Sequence, residues 1–106
     1  MFTKQKPYRN QKMRNAAIGE DCTLLSPYCN GDKTTTVLCH LNEGYAGKGM
    51  GQKADDDASF FACSGCHDAY DRRSSVSDGW VRVEPERVLR AVILTRRRFR
   101  ALGIID

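Results

Sequence analysis

The residues of this sequence with the most distinctive chemistry are five cysteines and two histidines. Cys63 and Cys66 form a C-x2-C pair, the spacing that lets two thiolates reach one tetrahedral zinc ion at about 2.3 Å from a single turn. Cys22 and Cys29 are separated by six residues, a loop long enough to fold back and bring both sulfurs to the same ion. The four cysteines therefore predict a structural zinc site.

Other chemistries use the same residue types. A thioredoxin-like redox pair would place C-x-x-C at the end of a strand in a βαβ unit, and no later strands are expected here to build such a sheet. A disulfide framework would leave one of the five cysteines unpaired, and disulfides are rare in a reducing cytosol. Both alternatives stay open. The fifth cysteine, Cys39, is expected to behave as a small buried hydrophobic residue.

Both histidines lie at positions where chemistry could use them. His67 directly follows the C-x2-C pair, and on a helix beginning near Cys66 it shares a face with Asp71, four residues later. An imidazole and a carboxylate on one face form part of a site for a hard divalent cation. His40 ends a segment rich in β-branched residues. The alternative is an exposed histidine at a helix start, with Asp71 paired to the arginines that follow it.

The elements that must position these residues follow from turn signals and periodicity. Residues 1–9 are predicted to form a flexible basic arm, and residues 42–57 a long loop, because the latter contain four glycines and no sustained period. Four other elements are predicted: a helix over 10–19, a strand within 34–41, a second strand over 58–63, and a helix from Cys66 or His67 onward. The apolar side of the first helix is expected to consist of Met13, Ala16, Ala17 and Ile18.

The clearest helical pattern lies near the C-terminus, over residues 84–103. Pro85 and two flanking glutamates suit a helix start, because proline needs no donor there and carboxylates face the positive end of the dipole. One face is apolar and is expected to pack on the core; it consists of Val88, Val92, Thr95, Phe99 and Leu102. The helix is also basic, since four arginines lie largely off that face: Arg87, Arg90, Arg97 and Arg98.

Length and charge restrict the class of protein. A chain of 106 residues suits one small domain. No apolar run reaches the roughly 18 residues of a membrane span, and the N-terminus has no signal-peptide core, so a cytoplasmic protein without a membrane partner is expected. Residues 1–14 carry five basic and no acidic side chains, and residues 81–106 carry seven basic and three acidic. Basic ends around an acidic middle favour contact with nucleic acid, although charged ends also keep small domains in solution.

The order of these motifs resembles that of the HNH endonucleases, the ββα-metal family, in their zinc-clamped form. The resemblance rests on Cys22 and Cys29, then on LCHL at 38–41, then on CSGCH at 63–67. Over roughly residues 12–73 the sequence is further similar to small lambdoid-prophage proteins described as nucleases and typified by YbcO. The resemblance implies an α+β fold: a single zinc-clamped ββα-metal domain over 10–106, with a ββα core at about 34–73, an N-terminal helix and the C-terminal basic helix.

The resemblance also implies roles for individual residues. His40 stands at the family's first histidine, which is the general base. His67 stands at the last histidine, a ligand of the catalytic divalent cation, and Asp71 stands where some members have an additional ligand. The four cysteines match the structural clamp. The implied cofactors are a structural Zn²⁺ and a catalytic Mg²⁺ or Mn²⁺.

Two positions depart from the family pattern. The residue before the first histidine is often an aspartate or histidine that ligates the metal, whereas this sequence has Cys39, a softer donor. The middle asparagine has no counterpart, because Ala58 or Ser59 falls at its place. Asp57 or Asn42 could substitute for it in space.

The leading hypothesis is a metal-dependent DNA endonuclease encoded by a phage or prophage, with His40 as general base and the cation at His67 and Asp71. The alternative is a catalytically inactive, zinc-stabilised DNA-binding module on the same scaffold. A third hypothesis is a protein-interaction module that uses the apolar stripe of the C-terminal helix, beyond which Ile104 and Ile105 could be exposed. The expected oligomeric state is a monomer or a weak dimer through that helix.

Overall fold

The computed structural model of the protein describes residues 8–41, 55–71 and 83–105. The described part is α+β, as the sequence predicts, with one two-stranded sheet and three α-helices. The elements follow in the order α1 (Gln11–Ala16), a turn of 3-10 helix (Lys33–Thr35), β1 (Val37–His40), β2 (Ser59–Ala62), α2 (Ser64–Asp71) and α3 (Pro85–Ala101). Most of the predicted arm and of the predicted long loop lies outside the described residues.

The two strands pair antiparallel and give the hairpin two faces. Cys39 lies opposite Phe60, and His40 lies opposite Ser59. Successive side chains of a strand point to opposite faces. The face formed by Cys39, Phe60 and Ala62 is called the cysteine face, and the face formed by Leu38, His40, Ser59 and Phe61 is called the histidine face.

Each face is covered by its own cluster of buried side chains. The cysteine face packs against Leu24, Cys63, Cys66 and Ala91. On the histidine face, Leu38 and Phe61 pack against Met13, Ala17 and Phe99. Thus α2 covers the cysteine face and α1 the histidine face, while α3 runs along β2 and contributes to both clusters.

The buried sides of α1 and α3 match the predicted apolar faces except near their C-terminal ends. Leu102 is 43% exposed, so its predicted packing on the core is wrong, and Ile18, placed on the apolar side of the first helix, is 77% exposed. In both cases the helix has already ended, and a glycine with positive φ, Gly19 or Gly103, turns the chain. The turn at Gly103 lets the Ile104 amide donate to the Phe99 carbonyl at 2.9 Å.

The turn at Gly103 also decides where the last described residues lie. Ile104 and Ile105 pack against the cluster on the histidine face and are partly buried. The interaction hypothesis allows these two isoleucines to be exposed beyond the helix, but the chain folds back after α3 and partly buries both. They pack at the edge of the core.

Thr95 of α3 forms a hydrogen bond with the outer edge of β2, the edge that faces away from β1. Its Oγ1 accepts a hydrogen bond from the Phe61 amide at 2.9 Å, and the side chain is fully buried. The Phe61 carbonyl accepts two hydrogen bonds, from the Thr23 amide at 2.9 Å and from the Thr23 hydroxyl at 2.7 Å. Both outward-facing backbone groups of Phe61 are therefore satisfied by side chain and loop rather than by a third strand.

We expect Thr95→Val, which keeps the side-chain shape, to lower the free energy of unfolding by about 1–3 kcal/mol, because it leaves the buried Phe61 amide without an acceptor. Urea denaturation followed by circular dichroism would measure the change. Thr95→Ser is the matched control, since it retains the hydroxyl. A valine variant as stable as the serine variant would contradict this role.

Candidate functional site

The sulfur atoms of four cysteines converge where the first loop, β2 and α2 meet. The Sγ atoms of Cys22, Cys29, Cys63 and Cys66 all lie within 4.8 Å of one another, and none of these residues is in a disulfide. The sulfurs of Cys29 and Cys63 are 3.7 Å apart. Four thiolates at about 2.3 Å from a tetrahedral zinc would be about 3.8 Å from each other. The donor set and its spacing therefore fit a zinc ion.

The loop that carries Cys22 and Cys29 is held in place by a turn and by an arginine. The turn begins at Ser26 and is closed by a hydrogen bond from the Cys29 amide to the Ser26 carbonyl at 2.9 Å. Leu25 has φ +50°, an uncommon value for a side chain of this size. Arg87 of α3 holds this conformation by donating to the Leu25 carbonyl at 2.6 Å.

Nearby donors surround the sulfur cluster. The Asn30 and Cys66 amides point at Cys63 Sγ from 3.4 and 3.5 Å, and the Ser26 hydroxyl lies 3.1 Å from Cys66 Sγ. A hydrogen bond between the Cys66 and Cys22 sulfurs lowers the pKa of Cys22 to about 4, and the same interaction raises the pKa of Cys66. This interaction favours the thiolate at Cys22 and the thiol at Cys66, and burial raises the pKa of Cys29 as well. Coordination to zinc would itself lower the pKa of the thiols that bind it.

Gly65 allows the two cysteine-bearing segments to approach. A Cβ atom added there would lie well inside van der Waals contact of the Tyr28 carbonyl oxygen, and the Asn30 amide nitrogen would be 3.5 Å away. The sequence suggests a tight turn at Gly65, but the residue lies in the first turn of α2 instead. Its small size is required because the Tyr28–Asn30 backbone packs directly on the helix.

A second cluster of possible metal ligands combines β1 and α2. One ligand atom each from Cys39, His67 and Asp71 lie within 4.8 Å of one another. His67 Nε2 and Asp71 Oδ2 are 3.1 Å apart, as the i,i+4 spacing predicts. Cys39 is fully buried, as expected for a small hydrophobic residue, and its sulfur also reaches this cluster. A thiolate, an imidazole and a carboxylate form a three-ligand set of the kind that leaves a coordination position open in catalytic metal sites.

His40 contacts a carboxylate that the sequence analysis did not single out. Its Nε2 lies 2.8 Å from Oδ1 of Asp56, whose side chain is only 1% exposed. The nearby candidate Asp57 is exposed, and its carbonyl accepts a hydrogen bond from Arg96 at 3.4 Å. Asn42, the other candidate, lies outside the described residues. The run of three aspartates at 55–57 was the only sequence signal for this contact.

The structure places the two halves of the expected active site on either side of β1. Cys39, with His67 and Asp71, belongs to the cysteine face, whereas His40 leaves the strand on the histidine face. The two residues are consecutive, and His40 is the last residue of β1. Both halves therefore lie at the same end of the hairpin but on opposite faces of β1. A molecule in contact with both would have to bind at the edge or the end of that strand.

The arginines of α3 divide into structural and exposed groups. Arg87 donates a hydrogen bond to the Leu25 carbonyl in the loop that carries Cys22 and Cys29, and Arg98 forms a bidentate ion pair with Glu20 at 2.7 and 3.1 Å. These two therefore have roles within the fold. Arg90, Arg97 and Arg100 are exposed, and no hydrogen bond or ion pair joins them to the parts of the chain that the structure describes.

No helix among the described residues is long and apolar enough to cross a membrane.

Comparison with known proteins identifies the family. A family model described as "Putative nuclease YbcO" matches residues 11–104. The chain belongs to the YbcO nuclease family. "Putative nuclease YbcO" of Escherichia coli (strain K12) and "Putative nuclease ybcO" of Enterobacteria phage 82 are each 41% identical to it over 68 residues, which is 62% of this chain and 69% of the relative.

A solved structure has the same overall arrangement. The chain described as "Structure of a putative bacteriophage protein from Escherichia coli str. K-12 substr. MG1655" is 31% identical, with a TM-score of 0.63. The match covers 87% of this chain and 100% of that one. The YbcO family match runs from α1 to beyond the end of α3 and so includes both clusters of possible ligands, His40 and Asp56.

We expect one tightly held zinc per chain, bound by the four clustered cysteines. Cys63→Ser should lose it and unfold more easily, because metal binding at a structural zinc site is coupled to folding. Cys39→Ser is the matched control and should keep it. His67→Ala should also keep the tight zinc and lose only a weaker divalent site. Elemental analysis and calorimetric titration would measure both sites. Full zinc content in Cys63→Ser would refute the assignment.

Proposed function

We propose that this YbcO-family protein is a zinc-stabilised endonuclease of the HNH type that hydrolyses DNA phosphodiester bonds. The observation that carries the proposal is the three-ligand cluster of Cys39, His67 and Asp71, because Cys39 is the residue before His40 at the end of β1. The names of the curated relatives support nuclease activity, and the relative from a phage supports a phage or prophage origin.

His40 is the general base in this proposal. An imidazole ordinarily titrates near neutral pH, so it can accept a proton from the water that attacks the phosphorus. His40 is part-buried, with 18% of its side chain exposed, which keeps the ring ordered and still within reach of solvent. The three clustered ligands hold the divalent cation, which supplies charge stabilisation at the scissile phosphate and its leaving oxygen when bound.

Basic side chains would hold the DNA backbone around this centre. Arg96 donates a hydrogen bond to the Asp57 carbonyl, and Arg14 Nε lies 3.2 Å from Oδ2 of the neighbouring Asp56. Arg90, Arg97 and Arg100 add exposed positive charge along α3. Contacts of this kind with phosphates give affinity without reading the base sequence.

The donor set favours a cation softer than Mg²⁺. Mg²⁺ prefers six oxygen ligands in near-ideal octahedral geometry, whereas the cluster offers one sulfur, one nitrogen and one carboxylate oxygen. Thiolate and imidazole donors suit borderline cations such as Zn²⁺ or Co²⁺, and Mn²⁺ tolerates mixed donors better than Mg²⁺. We therefore propose that the catalytic cation is a transition metal.

We expect the purified protein to cut plasmid or branched DNA with Mn²⁺ and His40→Ala to lose about 10²- to 10⁴-fold in rate, the usual contribution of a general base. Gel analysis of nicked and linear products would measure the rate. The variant should retain its zinc and its thermal midpoint, which excludes unfolding as the cause. Equal cutting by the two proteins would remove His40 from the mechanism.

We expect Cys39→Asp to shift the cation preference toward Mg²⁺, because it replaces a soft donor with a hard one. The measured quantity is the ratio of cleavage rates in Mg²⁺ and Mn²⁺, which is insensitive to the fraction of folded protein. Cys39→Ser is the matched control, since it removes the thiolate without adding a carboxylate. The same ratio in all three proteins would show that Cys39 is not a ligand.

A second candidate is an inactive DNA-binding module on the same scaffold, favoured by the soft Cys39 donor and by the absence of the middle asparagine. Salt-dependent DNA binding, with no cleavage in any divalent cation, would select this function over the endonuclease.

A further inference from the structure

Asp56 is a buried carboxylate whose two oxygens have different partners. Oδ1 faces the ring of His40, with 2.8 Å between Oδ1 and Nε2. Oδ2 accepts a hydrogen bond from the Asn10 amide at 2.6 Å and forms an ion pair with Arg14, whose Nε lies 3.2 Å away. A buried charge with this many partners is held in one orientation. The ring of His40 therefore faces a fixed acceptor.

The Asp56 side chain is an acceptor because it is ionised. Burial by itself would raise the pKa of the Asp56 carboxyl, but the hydrogen bonds from His40 and the Asn10 amide, with the charge of Arg14, outweigh burial and hold the pKa below its ordinary value. A carboxylate has no proton to donate. The hydrogen bond between the two side chains thus requires the hydrogen to be on Nε2 of His40.

The backbone on both sides of Asp56 is also fixed. The Asp56 amide donates to the Tyr8 carbonyl at 3.0 Å, and the Tyr8 amide donates to Oδ1 of Asp55 at the same distance. The Ser59 hydroxyl donates to the Asp56 carbonyl, which ties the loop to the start of β2. Asn10 is the N-cap of α1, so the carboxylate is held between a helix start and the hairpin.

We propose that Asp56 is a positioning residue that holds the His40 ring in the tautomer protonated on Nε2, which leaves Nδ1 as the nitrogen that accepts the proton of the attacking water. This inference rests on the proposed endonuclease function, but the ring tautomer can be measured without it.

Asp56→Asn should reverse the tautomer of His40. The two donors on the Oδ2 side, Asn10 and Arg14, would select the oxygen of the new amide for that position. Its NH₂ group would then face His40 and donate to Nε2. The hydrogen of the ring would have to move to Nδ1, so the nitrogen that should act as base would be blocked.

Asp56→Ala has a different effect. It imposes no tautomer on His40, so part of the population keeps an unprotonated Nδ1, but it leaves the buried amide of Asn10 and the guanidinium of Arg14 without their acceptor. The asparagine variant should therefore be the more stable of the two and the less active of the two. A residue that only supports the fold would give the same order for stability and for activity.

The test uses the full-length zinc-loaded protein and three variants: Asp56→Asn, Asp56→Ala and, as the matched control, Asp57→Asn, which removes an exposed neighbouring carboxylate. Ring ¹⁵N shifts of His40, recorded well above the ordinary imidazole pKa of about 6.5, report the tautomer. We expect the wild type and the control to carry the hydrogen on Nε2, and Asp56→Asn to carry it on Nδ1. We expect kcat to fall by about 10²- to 10⁴-fold in Asp56→Asn, with KM unchanged, and by less in Asp56→Ala.

A wild-type ring protonated on Nδ1 would overturn the proposal, and so would an Asp56→Asn variant that changes the tautomer and keeps the parental kcat. Asp56→Ala losing as much kcat as Asp56→Asn would overturn it too, since the tautomer would then not matter. If the wild type cuts no DNA in any cation, the proposed function fails. The ring ¹⁵N shifts of the wild type and of Asp56→Asn then decide, without kinetic data, whether Asp56 sets the tautomer of His40.

Discussion

The packing of the four cysteine sulfurs is the constraint on which the other elements depend. It joins a loop with little regular structure to the end of β2 and the start of α2, and two of its members, Cys63 and Cys66, belong to the buried cluster of the cysteine face. A structural zinc site contributes apparent free energies of about 10–16 kcal/mol, whereas a whole domain is stable by only about 5–15 kcal/mol. Metal binding of that size would determine whether α2, and with it His67 and Asp71, is positioned at all.

The order of the elements and most of their packing follow from local patterns. The proline and glutamates at 84–86 and the apolar stripe that follows predict α3 almost to its ends, and the C-x2-C pair predicts where β2 gives way to α2. Helix ends are less predictable. Ile18 and Leu102 continue the apolar pattern in sequence, but the chain leaves the helix before each can be buried. A periodic pattern does not show the residue at which a helix stops.

The part of the site that depends on long-range pairing could not be predicted. Which of three consecutive aspartates faces His40 is set by the strand register, which places Ser59 opposite His40 and ties its hydroxyl to the Asp56 carbonyl. A shift of one residue would present a different aspartate. The departure at Cys39 could be read from sequence, whereas its proximity to His67 and Asp71 required the packing of α2 on β1.

The closed edge of β2 has a consequence for how the protein behaves in concentrated solution. A strand with unpaired amides and carbonyls along its edge can recruit a strand from another molecule, which is a common route to aggregation. In the centre of β2 the outward amide and carbonyl of Phe61 are already bonded to Thr95 and Thr23. Two threonines thus make the hydrogen bonds that a third strand would make with Phe61. They protect this small sheet from intermolecular strand pairing at this edge.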